Sequence, residues 1–230
     1  MAGGPRYAVY FVPEPGGELY RFGSSWLGYD CYSGFALARR SPPAINADAA
    51  EQHTREPRNY GFHGTLKAPF HLDPAYREAD LIVALEAFSA RALTFDPSVE
   101  LLDAFVAIVP AARCDPLESL AADCVRHFDR YRAPLSEQDR QRRTAAGLTS
   151  RQCENLDTWG YPYVFEDFRF HMTLTGRLAQ ETRHQILAAL RGAFNEAVGW
   201  KSVSVDRIVL LRQEEGEPFT VLRSAEFRGG

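Results

Sequence analysis

Hydrophobic and polar positions alternate in "RYAVYFV" (6–12), which predicts a strand closed by the turn residues Pro13 and Pro15. Residues 13–58 lack a sustained period, and the breakers "SPP" and "REPRN" leave room only for short helical pieces. "YGFHGTLKAPF" (60–70) is strand-like and ends at Pro69. The spacing then lengthens: Leu81, Ile82, Leu85 and Phe88 share one face and predict a helix, and "VELLDAFVAIV" predicts two strands turning near Asp103.

A second series follows. Leu117, Leu120, Ala121, Cys124, Val125 and Phe128 form an apolar helical stripe, with Asp115 as expected N-cap, Pro116 at the first position and Glu118 closing a capping box. Residues 132–162 are polar and Arg-rich, and predict two short helices separated at Gly147. "VFEDFRFHMTLTGRL" (164–178) predicts a strand, "AQETRHQILAALRGAFNEAV" (179–198) a helix, and the last segment a hairpin turning near Gly216. The two series match in order. They imply one α+β domain of two pseudo-symmetric lobes, roughly 1–110 and 111–230, with antiparallel sheets facing a central cleft and helices on the outside.

Within the match sits a repeated phrase, "FHGTL" (62–66) and "FHMTL" (170–174). Side chains two apart share a strand face. Phe62, Gly64 and Leu66 therefore turn one way and His63, Thr65 and Lys67 the other. In the second copy Phe168, Phe170, Met172 and Leu174 turn inward, while Arg169, His171, Thr173 and Thr175 face the cleft. Two imidazoles, two hydroxyls and nearby cations suit a phosphodiester: neutral imidazole takes a proton from water and imidazolium returns one to the leaving oxygen. Hydroxyl and ammonium donors would hold the non-bridging oxygens. One H-x-T is weak as a signal; two in matching frames are not.

Composition narrows the classes. The chain has 230 residues, net charge −4 and a pI near 5.9, which favours a small phosphorylated substrate over long nucleic acid. No stretch is long and apolar enough for a membrane span, and "MAGGPRYAVYFVP" lacks the pattern of a secretory leader, so a cytoplasmic protein without membrane partners is expected. Cys31, Cys114, Cys124 and Cys153 form no C-x-x-C pair and are read as free thiols. No HExxH, P-loop or dinucleotide fingerprint occurs, and no metal or cofactor is expected.

The paired F-H-x-T-L phrases resemble the 2H phosphoesterase superfamily. "YRFGSSWLG" (20–28), "YGFHGTLKAPF", "RAPLSEQDRQRRTAAGLT" (132–149) and "WGYPYVFEDFRFHMTLTGRL" (159–178) resemble its branch encoded near phosphonate-utilisation genes. The resemblance implies His63 and His171 as the catalytic pair and Thr65 and Thr173 as phosphate-binding hydroxyls. In the RNA-processing branch an Arg often follows the second motif as H-x-T-L-x-R. Here Gly176 intervenes and Arg177 comes one position later, on the nominal face of His171.

Lys67 is expected to bind phosphate. Arg169 is expected either at the substrate or paired with Glu166 or Asp167, and Tyr161 or Tyr163 over a ribose or base. The arginines of 130–151 are expected on a solvated surface, with a flap over the substrate as the alternative. The expected activity is metal-independent opening of a small cyclic phosphate, either a ribose cyclic phosphate or a 2′,3′-cyclic nucleotide, with phosphonate metabolism as the setting the resemblance implies. The alternatives are a non-catalytic nucleotide or RNA-end binding module, and the same site joining short RNA ends.

Overall fold

The computed structural model describes residues 4–145 and 147–227. The first three residues of the segment read for a leader lie outside them. Among the described residues there are eleven strands and seven α-helices. In chain order these are β1 (Arg6–Phe11), α1 (Glu18–Leu27), β2 (Tyr29–Asp30), β3 (Phe35–Ala36), α2 (Ala47–Thr54), β4 (Gly64–His71) and α3 (Glu78–Ala87). Then come β5 (Leu93–Phe95), β6 (Pro97–Leu102), β7 (Phe105–Pro110), α4 (Asp115–Phe128), α5 (Glu137–Thr144) and α6 (Ser150–Trp159). The chain closes with β8 (Met172–Thr173), α7 (Arg183–Val198), β9 (Val203–Val205), β10 (Arg207–Gln213) and β11 (Thr220–Glu226).

The architecture is α+β with antiparallel pairing throughout, as the alternating segments imply. The two half-sheets join edge to edge. One seven-stranded sheet runs β11-β10-β1-β4-β8-β7-β6, and the strands carrying the two H-x-T motifs, β4 and β8, are neighbours at its middle. Each half's terminal hairpin crosses to the other side: β6 and β7 extend the sheet beyond β8, while β10 and β11 extend it beyond β1 and β4. Residues 1–110 and 111–230 are thus interleaved in space. Helix α4 packs against β4, α7 against β6, β7 and α1, and α3 against β10 and β11.

The apolar half of each motif locks the strands together. Phe62 is fully buried against Gly23 of α1, where a Cβ would stand 2.2 Å from its ring. Phe170 lies over Gly64, where a Cβ would stand 2.3 Å from the ring. The variable position of the first H-x-T is thus small because the aromatic of the second motif occupies the space. Phe170 also meets Phe11 and Phe95, and Met172 and Leu174 are fully buried. Burying such side chains contributes about 1.5–3 kcal/mol each, which fixes the strand faces.

Several local expectations shift. The helix at 115 starts one residue earlier than expected: Cys114 is the cap, Asp115 is already helical, and both Asp115 and Glu118 pair with Arg113 instead of capping (2.6 and 2.9 Å). The strand expected across 164–178 shrinks to Met172–Thr173. Phe165 takes φ +54, residues 165–167 form a 3-10 turn, and Asp167 is drawn out to Arg151 and Gln152. The hairpin turns at Asp103 (φ +52) and Gly216 (φ +81), and the helix break at Gly147 (φ +77), fall where expected.

Candidate functional site

Antiparallel pairing of Gly64 with Met172 sets the site. Continuing that register places His63 opposite Thr173 and Thr65 opposite His171, with all four on the face away from Gly64 and Met172. Directly opposed residues lie about 5 Å apart and diagonal ones roughly 7–8 Å. The two histidines are the diagonal pair, a separation that leaves space for a phosphate between them.

Both rings are held in the same way. His63 Nδ1 donates to Gly61 O (3.0 Å), and His171 Nδ1 donates to Arg169 O (2.8 Å). A carbonyl only accepts, so each neutral ring carries its proton on Nδ1 and leaves the Nε2 lone pair as an acceptor. Thr65 Oγ1 lies 3.1 Å from His63 Nε2 and donates to it. Tyr10 of β1 stacks on His63 (3.7 Å between ring centres, 20° between planes), and Phe105 leans on His171 at 5.6 Å.

Burial sets the protonation states. Loss of hydration pushes the His63 pKa down to about 4, against the opposing Gly61 carbonyl, and the nearby His171 adds to the depression. Loss of hydration also lowers His171, opposed by the Arg169 carbonyl. Both imidazoles are therefore biased to the neutral form in the empty cleft. An arriving anion would favour imidazolium and reverse that bias.

The motif face opens into a cleft of about 600 Å³ lined by His63, Thr65, His171, Thr173, Tyr161 and Arg143 among others. An adjoining cavity of about 440 Å³ shares Thr65, Tyr161 and His171 and adds Trp159, Tyr163 and Arg169. Tyr161 and Tyr163 meet edge to face at 5.6 Å, and Tyr163 is 42% exposed. Arg169 is exposed beside His171, and Asp167 is held by Arg151 at 2.7 Å, which leaves Glu166 as the only acid of the expected pair outside that bridge. Arg177 is exposed on the rim beyond Thr173. Thr175 is fully buried at the base of the cleft, and its hydroxyl accepts from the Val106 amide (3.0 Å).

Lys67 corrects an expectation. The β1–β4 register shifts between Tyr10↔Thr65 and Val9↔Lys67, so simple alternation does not carry from His63 to Lys67, which is 3% exposed and whose ammonium donates to Asp129 at 2.6 Å and to Trp159 O at 3.5 Å. Asp129 also accepts from Arg132 at 2.9 Å. The ammonium is therefore committed to a carboxylate at the end of α4, and the register shift breaks the alternation on which the expectation rested. Arg143 corrects another. Placed on a solvated surface by its neighbours in sequence, it sits 5.3 Å over the Tyr161 ring and lines the cleft. Arg140, bridged to Asp157 at 2.7 and 3.0 Å, clasps α5 to α6 and holds it there. Tyr10 and Arg6 escaped sequence reasoning, although the alternation of β1 places both on one face. Among the described residues, no group of three or more His, Cys, Asp or Glu is placed to hold a metal ion, and no helix is long and apolar enough to cross a membrane. All four cysteines are free.

A family model described as a protein of unknown function, DUF1045, matches residues 65–220. The chain is 37% identical to a Janthinobacterium sp. (strain Marseille) protein named ribose 1,5-bisphosphate phosphokinase PhnN, over 97% of this chain and 51% of the relative. It is 33% identical to the protein of that name from Laribacter hongkongensis (strain HLHK9), over 84% and 45%. The chain thus spans about half the length of the curated relatives it matches. Among solved structures, LigT of E. coli complexed with 3′-AMP aligns over 97% of this chain and 98% of its own at 14% identity and a TM-score of 0.44. LigT complexed with NADP+ aligns over 98% and 99% at 16% identity and 0.45, a distant likeness in both cases.

Proposed function

The chain belongs to the DUF1045 family, and we propose that it is a 2H-type phosphodiesterase that hydrolyses a small cyclic phosphate by two-histidine acid–base catalysis. The observation that supports the reading is the Gly64–Met172 register, which sets His63, Thr65, His171 and Thr173 on one cleft face with both Nδ1 atoms tied to backbone carbonyls and both Nε2 atoms left as acceptors.

In the proposed reaction, neutral His63 Nε2 takes a proton from water as its oxygen attacks phosphorus. His171, protonated on Nε2 when the anion is bound, gives that proton to the departing ring oxygen. One P–O bond forms and one breaks, leaving a phosphate monoester and a free hydroxyl. As water takes its place at His63 Nε2, the Thr65 hydroxyl turns to the substrate, and it and Thr173 donate to the non-bridging oxygens, where charge accumulates. These transfers require no metal or nucleophilic side chain. His63 is assigned as the base because its pKa is driven to about 4, so only about one molecule in a thousand is protonated there at pH 7. His171 is lowered by the same loss of hydration and recharges when the substrate anion binds.

The substrate class we favour is a ribose cyclic phosphate. The relatives named for ribose 1,5-bisphosphate are about twice as long, and this chain aligns with half of one of them. Their kinase activity is not carried over, since no P-loop sequence occurs in these 230 residues. Hydrolysis of a cyclic diester on ribose would yield a ribose phosphate of the kind that name describes. A 2′,3′-cyclic nucleotide is the second reading, favoured by Tyr161 and Tyr163 edging the adjoining cavity, where a base could stack.

A screen of cyclic phosphates in excess EDTA, with products identified by phosphorus NMR, tests the proposal. Conversion of a ring phosphate to a monoester supports it. Tight binding of every candidate with no ring opening would leave a binding module instead. With a nitrophenolate leaving group the acid matters less, so His63→Ala should then cost far more than His171→Ala. The opposite order would reverse the assignment.

A further inference from the structure

We propose that Arg6 and Arg143 form a second anion subsite, which takes a terminal phosphate carried by the substrate away from the reacting diester. The inference rests on the phosphodiesterase reading above and specifies its substrate class as one with two phosphate groups.

The cleft of the paired motifs does not end at the histidines. It shares Arg6, Pro69, Arg142 and Arg143 with a further cavity of about 520 Å³. Arg142 is neutralised by Asp139 at 2.6 Å, and nearby Arg212 is bridged to Glu214. Arg6 and Arg143 are not balanced in this way. Arg6 donates Nε to Gln213 Oε1 (2.9 Å), an uncharged acceptor, and lies 5.6 Å over the Phe219 ring. Arg143 faces the Tyr161 ring, and its buried Nε meets no hydrogen-bond partner among the described residues.

Burying a guanidinium without a counter-charge is costly, and doing so beside a second one costs more. Loss of hydration lowers the Arg143 pKa, and the like charges of Arg142 and Arg6 add to it against Tyr161 and Asp139. A phosphate dianion relieves both penalties through charge-assisted bonds from two planar forks. The position suits one end of a small molecule. Arg6 is four residues along β1 from Tyr10, roughly 13 Å at strand spacing, and Tyr10 stacks on His63. Phe219 links the two ends, touching Tyr10 at 6.0 Å and lying beneath Arg6. A phosphate at the histidines and another at the arginines would thus sit at opposite ends of one phosphorylated pentose. The other arginines of the outer cavity, Arg132 and Arg142, are held by Asp129 and Asp139, so they offer little to a longer anionic chain.

Isothermal titration with ribose 1-phosphate and ribose 1,5-bisphosphate tests this on the full chain without requiring turnover. The bisphosphate should bind at least tenfold tighter than the monophosphate, and Arg143→Met or Arg6→Met should shrink that ratio below about threefold. Arg143→Lys, which keeps the charge but not the fork, should retain part of it and covers the case in which Arg143→Met does not fold. Equal affinities in the unaltered protein, or a ratio that survives both methionine variants, would overturn the subsite. A ratio that behaves as expected in a protein that opens no cyclic phosphate would uphold the subsite and sink the catalytic reading.

Discussion

Lowering the pH should destabilise the protein through one identifiable ring. His63 has a folded pKa of about 4 against about 6.5 when unfolded, so the unfolded chain binds the extra proton between those values. A depressed histidine contributes stability above pH 6.5 that is lost as pH falls towards 4. Between pH 7 and pH 5 the loss attributable to His63 is about 2 kcal/mol, an upper figure because the ring edge meets the cleft. For a chain of this size that corresponds to a Tm decrease of about 4–8 °C. Other groups titrate too, including His171, so the comparison must be with His63→Gln, which keeps a donor but cannot charge. The Tm gap between the two proteins, followed by calorimetry at matched ionic strength, should move in favour of the variant by that amount as pH falls from 7 to 5. A gap that stays constant would show that His63 is not desolvated as described, and the reason for assigning it as the base would go with it.

Other consequences can be read separately. Because both imidazoles are depressed in the empty cleft, kcat/KM should peak below pH 6.5, with the basic limb of kcat displaced upward by the bound anion; an optimum of kcat/KM above pH 8 would contradict the burial argument. Lys67→Met should cost about 3 kcal/mol by leaving half-buried Asp129 with Arg132 alone, seen as a Tm decrease of about 6–12 °C; a decrease under 3 °C with a raised KM would return Lys67 to the substrate. Gly64→Ala should destabilise by about 1–3 kcal/mol in urea unfolding and be partly rescued by Phe170→Leu; strictly additive effects would rule out the ring-over-glycine contact.

Much of this site is legible in the chain because strand alternation is rigid arithmetic. Once Phe62 and Phe170 are buried, His63, Thr65, His171 and Thr173 have one face left to occupy. What alternation omits is depth and company. Lys67 lies past a register shift that simple alternation does not foresee, and its fate depends on Asp129, brought in by α4 from far along the sequence. Arg143 looks like one of several exposed arginines until the Arg140–Asp157 bridge folds α5 over Tyr161. The second motif strand is short because its regular pairing breaks after Thr173: Leu174 and Thr175 both donate to one β7 carbonyl, Val106 O, and Gly176 turns to His53 O. The edge-to-edge union of the half-sheets has a local cause in the Phe170–Gly64 contact, which no single segment reveals.

The most direct test of the paired-histidine claim is the rate of ring opening of a cyclic phosphate in excess EDTA by the unaltered protein, His63→Ala, His171→Ala and the double variant. Each single change should lower kcat by about 10²–10⁴-fold, and the double change should cost far less than the product of the two, because the rings act on one transition state. A single variant that keeps near-normal kcat, or turnover that vanishes in EDTA and returns with a divalent ion, would contradict the mechanism.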